Sequence, residues 1–161
     1  MSALAPTIEA FFTERLLTQR QASPCTVAAY RDTLRMLLTF VQARTGKAPW
    51  KLDVADVDAA MVGGFLNHLE RDRQNSVRTR NTRLAAIHSL FRYAALRHPE
   101  HAGLIARVLA IPTKRYDRAV MSFLDPDEVD ALLTAPDRDT WIGRRDYALV
   151  VLTTQTGMRL S

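Results

Sequence analysis

Thr156-Gly157-Met158-Arg159-Leu160-Ser161 places an arginine directly after a small-residue turn that follows an apolar helix. Arginine is a fixed cation, and its planar fork can hold two phosphate oxygens at once. At the end of a packed helix such a group suits a pentavalent phosphate transition state. Phosphoryl transfer also needs a nucleophile and an acid, and no residue after Ser161 is present to supply them. The four tyrosines do not fill the gap. Tyr30 and Tyr93 fall on helical stripes, Tyr116 in a linker, and Tyr147 in the helix before Arg159. One arginine without an aligned nucleophile and acid is not expected to cleave a phosphodiester. On these residues alone Arg159 reads sooner as a surface cation that complements a helix C-terminus.

A second concentration of chemistry is cationic. Residues 71–97 hold seven arginines and one acid, Asp72. Residues 1–118 carry 18 Lys and Arg against 10 Asp and Glu, whereas residues 119–161 carry 4 against 7. A basic N-terminal part implies a polyanionic partner, most often nucleic acid, although a solvated basic surface has the same charge. His68, His88, His98 and His101 lack ligand spacing and Cys25 is remote from them, so no metal is expected. Asp127, Glu128 and Asp130 read as helix N-terminal charge. No apolar run approaches the roughly 20 residues of a membrane span. The lone cysteine and the absence of a secretory pattern fit the reducing cytoplasm. A chain of 161 residues, 47% hydrophobic, is enough for one domain or a small domain plus part of another.

The elements that must position these groups are helical. Ile8, Phe11, Phe12 and Leu16 predict a first helix over 7–19. Ser23-Pro24 opens a second with a stripe of Val27, Tyr30, Leu34, Leu37, Leu38 and Val41, ended by Gly46. Asp53 to Asp56 offers caps for a third helix through Arg71, with Val57, Met61, Phe65, Leu66 and Leu69 inward. Gly63-Gly64 within it reads as a packing feature. Ser76 or Thr79 caps a fourth through Arg97, with Leu84, Ile87, Leu90, Phe91 and Ala94 inward, and His98-Pro99 ends it. A short helix over 100–109 follows, then an extended basic stretch from Ile111 to Val120. Asp125-Pro126 starts another helix, with Val129, Leu132 and Leu133 apolar. The last runs over 143–154 and is nearly all apolar after Asp146, the pattern of a buried helix.

The order of these signals resembles a family. Ser23-Pro24-Cys25-Thr26-Val27-Ala28-Ala29-Tyr30-Arg31-Asp32-Thr33-Leu34 is similar to the S-x-x-T-x-x-x-Y-x-x-x-L helix of tyrosine recombinases of the phage integrase and Xer-like kind. Residues 77–87 resemble the later T-x-N-R-x-L-S-A-L/I helix of the same core-binding domain. Phe123-Leu124-Asp125-Pro126-Asp127-Glu128 resembles the L-T-x-E-E entry to the catalytic domain. Arg145-Asp146-Tyr147-Ala148-Leu149 with residues 156–161 resembles R-D-x-A-L followed by T-G-x-R-x-S-E. The resemblance covers essentially the whole chain, and the last motif is the specific one.

The resemblance implies an all-α, SAM-like core-binding domain over 1–111 and a basic linker over 112–120. Residues 121–161 would be the first helices of a truncated, mixed α/β catalytic domain. In that family the two domains clamp double-stranded DNA, and no metal or nucleotide cofactor is used. An arginine pair, a lysine and His or Trp residues stabilise the phosphate while a tyrosine attacks it. Only the first arginine maps here, as Arg159. The expectation is the DNA-binding portion of a site-specific recombinase or integrase, catalytically incompetent alone. Its implied partners are DNA and either itself or an intact recombinase. Two other readings stay open: a non-catalytic regulator of recombination, and a helical protein–protein module with an acidic partner.

A helical wheel of the fourth helix turns Arg78, Asn81, Thr82, Ala85, Ser89 and Arg92 outward. Arg78, Asn81 and Thr82, with Thr79 beside them, cluster at the N-terminal end, where short polar tips suit a major groove. The resemblance places DNA contacts there as well. Arg83 lies at the stripe border within reach of phosphate; Arg80 points nearer the core or precedes the helix. On the second helix Thr26 and Arg31 occupy the exposed start, and Thr26 serves equally as a cap. Lys114, Arg115 and Arg118 are expected to track phosphates. Residues 119–161 are too few to close a core around so apolar a helix. They are expected to be partly disordered, docked or self-associating.

Overall fold

Two serines start the two longest helices in the same way. The Thr26 N–H donates to Ser23 Oγ at the head of α2, Pro24–Thr45, and the Thr79 N–H donates to Ser76 Oγ at the head of α4, Val77–Arg97. In each pair the two hydroxyls also lie 3.0 Å apart. Pro24 takes the first position of α2, where no N–H is needed. Gly46, at φ 70°, ends α2 in the left-handed conformation that glycine adopts without strain. α4 stops at His98, before Pro99.

The computed structural model describes residues 3–116 and 123–158. Every regular element among them is helical, and the single β feature is an isolated bridge between Ala3 and Asp53. The chain divides into two compact units, Met1–Tyr116 and Asp117–Ser161.

In the first unit, α1 spans Leu4–Ala10 and runs on as a π-helical stretch, Phe11–Gln19. The helix therefore begins before residue 7, because the Leu4 N–H is held by Leu52 O and its side chain is buried. The wider i→i+5 turn brings Phe11 and Leu16, five apart, onto one buried side and leaves Leu17 exposed. The cap expected for the third helix is also displaced. Asp53 caps a separate 3₁₀ turn, Val54–Asp56, through a reciprocal capping box. Asp58 then accepts from the Met61 N–H to start α3, Ala59–Arg71. That register buries Val62, and Met61 is only half-buried. The glycine pair does not mark a close helix approach. A Cβ at Gly63 would meet nothing, and one at Gly64 would touch the Phe40 ring at an ordinary 3.6 Å.

A 3₁₀ turn, Pro99–His101, leads into α5, Ala102–Leu109. The core gathers Leu34, Leu37 and Val41 of α2 with Phe65, Leu66 and Leu69 of α3. α4 adds Leu84, Ile87, Leu90 and Phe91, and α5 adds Ile105 and Val108. Phe11 packs its ring 6.1 Å from Tyr30 and 5.7 Å from Tyr93. Each such buried Leu or Phe contributes roughly 1.5–3 kcal/mol.

In the second unit, Asp125 and Glu128 form a capping box at the head of α6, Pro126–Thr134. Thr140 accepts from the Gly143 N–H to start α7, Trp141–Thr156, and Gly157 at φ 64° ends it. The apolar run after Asp146 is not buried: Leu149 and Leu152 are exposed, as is Leu132 of α6. Two helices offer each other one face apiece, so an all-round apolar helix stays open among the described residues.

Candidate nucleic-acid interface

α2 and α4 meet near their beginnings. The Arg83 guanidinium donates to Ala29 O at 3.3 Å and to Thr33 Oγ1 at 2.9 Å, and pairs with Asp32 at 2.8 Å. Asp32 is also paired with Arg35 at 2.8 Å. The bond from Arg83 is the largest influence on the Asp32 carboxyl. With Arg35 it holds the pKa below the ordinary range, against partial burial that raises it. The one acid at the crossing is therefore charged and doubly neutralised. The contact lies within roughly two to three turns of both helix starts.

The groove at this contact is lined by Ala29, Tyr30, Asp32 and Thr33 from α2 and by Arg78, Thr79, Thr82, Arg83 and Ala86 from α4. Neither helix has an acid in its first turn. Their positive dipole ends are uncancelled and suit an anion. α6, by contrast, carries Asp127 and Glu128 in its first turn. Arg78 sits in the first turn of α4, where a cation opposes the dipole, so helix stability does not account for its placement.

The structure sorts the residues singled out in the sequence. Arg78, Thr79 and Thr82 come together in the groove. Arg78 is exposed, and the Thr82 hydroxyl donates to Arg78 O within the helix. Thr26 is at the head of α2 with its hydroxyl against Ser23, so Ser23 is the cap. Arg83 is committed to α2. Arg31 is exposed but lines a different depression, with Ile8, Leu34 and Pro49. Arg92 is exposed some 14 residues beyond Arg78, about 21 Å along α4. Asn81, expected to face outward, is bonded to the main chain of Lys114, and Lys114 Nζ pairs with Glu70 at 2.7 Å. Arg115 is exposed. Arg80 does not precede the helix: it is the fourth residue of α4 and is buried. Arg118 and Arg159 lie outside the described residues.

Sequence reasoning missed the Asp32 hub. The i, i+3 pair Asp32–Arg35 was a visible signal, whereas the bond to Arg83, about fifty residues away, had none. Tyr93 is buried and donates to Glu14 at 2.8 Å, and burial raises its pKa, so it stays a protonated packing residue. Among the described residues no group of three or more His, Cys, Asp or Glu could hold a metal, and no helix is long and apolar enough to cross a membrane.

The all-helical make-up of the described residues fits a SAM-like, core-binding class of domain. Residues 8–98 match the family described as phage integrase, N-terminal SAM-like domain. The chain belongs to that family. It is 54% identical over 160 residues to a Sinorhizobium fredii protein named as an integrase/recombinase, y4rC, covering 99% of this chain and 48% of the relative. A second protein of that organism, y4rD, is 44% identical, with 98% and 56% covered. Tyrosine recombinase XerC of Pelobacter propionicus is 32% identical, with 93% and 47% covered. The chain thus spans about half the length of the curated relatives it matches. No solved structure matches it at a significant level.

Proposed function

We propose that this chain is the DNA-binding part of a tyrosine-type site-specific recombinase or integrase, acting on duplex DNA in the cytoplasm. The observation that carries the reading is the joined start of α2 and α4, with exposed Arg78 and no unneutralised acid. Arg78 and Arg115 supply phosphate contacts, and the two helix starts add N–H dipoles. Thr26, Thr79 and Thr82 present short polar groups toward base edges. The names of the relatives, integrase/recombinase and XerC, support the same activity. Arg159 is the family's first phosphate-binding arginine on this reading. It acts only alongside the family's other catalytic groups, and a second copy or an intact recombinase is the natural partner.

The test is titration of a labelled duplex with the whole chain at about 50 and 200 mM salt. The reading requires affinity that falls as salt rises, and a further loss of about tenfold or more in an Arg78→Ala, Thr82→Ala double variant. Binding indifferent to both changes would favour the protein–protein module instead.

A further inference from the structure

Two consecutive residues of α4 turn away from the groove and hold another part of the chain. The Asn81 Nδ2 donates to Lys114 O at 2.7 Å, and the Lys114 N–H donates back to Asn81 Oδ1 at 3.1 Å. Two paired strand residues exchange bonds in this reciprocal way, and here one partner is a side chain. Arg80 Nη1 donates to Pro112 O at 3.2 Å and to Asn81 Oδ1 at 3.0 Å, which fixes the oxygen side of the amide toward the Lys114 N–H. The Lys114 ammonium reaches Glu70 of α3. Residues 111–116 have no regular secondary structure, yet two helices hold them at Pro112 and Lys114.

Core packing does not account for Arg80. It is only 6% exposed, and no carboxylate among the described residues pairs with it. Its Nε is buried without a hydrogen-bond partner. It also lies close to the positive end of α4. A buried cation in this state is less stable than an apolar side chain of similar volume. What the guanidinium does is grip the Pro112 carbonyl and orient the amide beside it.

We propose that Arg80 and Asn81 form a latch that fixes the path of residues 112–115 against the start of α4. Arg115 and the Arg78–Thr82 turn then meet one stretch of DNA backbone as a single body. Asn81 is a positioning residue: it acts on DNA through the latched segment and does not touch DNA. Only this last step rests on the DNA-binding reading; the latch itself stands on the geometry.

The experiment is amide hydrogen exchange at Lys114 in the whole chain without DNA, followed by duplex titration. Asn81→Ala should speed exchange at Lys114 about tenfold, the loss expected for one to two net hydrogen bonds. Amides of Ile87 and Leu90 should not change. Asn81→Asp keeps the oxygen acceptor and should retain most of the protection. Arg80→Met, which keeps the volume and removes the charge, should loosen Lys114 without weakening the core. Duplex affinity of Asn81→Ala should fall several-fold. Unchanged exchange in Asn81→Ala overturns the latch, and weaker DNA binding with unchanged exchange would make Asn81 a direct contact. Faster exchange with unchanged affinity overturns the link to DNA. If the unaltered chain binds no duplex, the DNA-binding reading falls, while the exchange result still decides the latch.

Discussion

Helices α2, α3 and α4 of residues 3–116 and the two helices of residues 123–158 begin equally well. Ser23, Ser76 and Asp58 cap α2, α4 and α3, and Asp125 and Thr140 cap α6 and α7 with the same kind of bond. Yet all 22 buried apolar side chains among the described residues lie between Leu4 and Val108. In α6 and α7 only Gly143 is buried. A cap decides where a helix starts, because it satisfies a local N–H. Burial depends on how many other faces are present to cover the stripe. The charges diverge too: acids fill the first turn of α6 and are absent from those of α2 and α4. The starts of α2 and α4 are thus free to take an anion, whereas that of α6 is not.

The sharpest way to break this contrast is a paired truncation. Phe65→Ala removes a side chain that is 1% exposed and should cost about 3–5 kcal/mol, as seen in urea unfolding followed by circular dichroism. Leu149→Ala, on the exposed side of α7, should stay within about 0.5 kcal/mol. Equal losses would erase the distinction between the two regions.

Gly143 is the point where the second unit is tightly built. A Cβ there would lie 1.8 Å from Asp137 O, so the turn over 137–140 has to move. Gly143→Ala should cost about 1–3 kcal/mol locally. Faster amide exchange at the head of α7, with residues 3–116 unaffected, is the expected readout. A silent substitution would show that this turn is looser than the geometry requires.

The smallest effect is a pH dependence confined to the first unit. His88 Nε2 lies 3.1 Å from Val108 O and ties α4 to α5, and burial holds its pKa below the ordinary value despite that bond. The unfolded chain takes up this proton near pH 6.5, and the folded chain only lower. Stability associated with His88 is therefore complete above about pH 6.5 and declines as pH falls below it. Asp32, lowered chiefly by Arg83, and Glu14, lowered chiefly by Tyr93, add a second decline below the usual carboxylate range of about 4. Urea midpoints from pH 7 to 3 should show both steps, and His88→Gln should flatten only the first.

Much of the fold was legible before the structure. Ser23-Pro24, Gly46, Ser76, His98-Pro99 and Asp125-Pro126 are local signals, and each marks the boundary it predicts. The start of α1 was not legible, because it depends on Leu52, nearly fifty residues away. The sequence offers caps at Asp53 to Asp56, and periodicity alone could not assign Asp53 to a 3₁₀ turn and move the start of α3 five residues on to Asp58. At the candidate site, the outward placement of Arg78 and Thr82 followed from the wheel. The engagement of Asn81 by Lys114 and of Arg83 by Asp32 did not, since a wheel shows direction and not what arrives from elsewhere in the chain.

The central claim is that the starts of α2 and α4, with the latched segment, form the DNA-binding surface. It is tested most directly by amide exchange of the whole chain with and without a duplex it binds. The account predicts new protection concentrated in residues 24–31, 77–83 and 112–115, with α6 unchanged. Protection confined to α6 and α7, with those three segments unaltered while the duplex is bound, would contradict it.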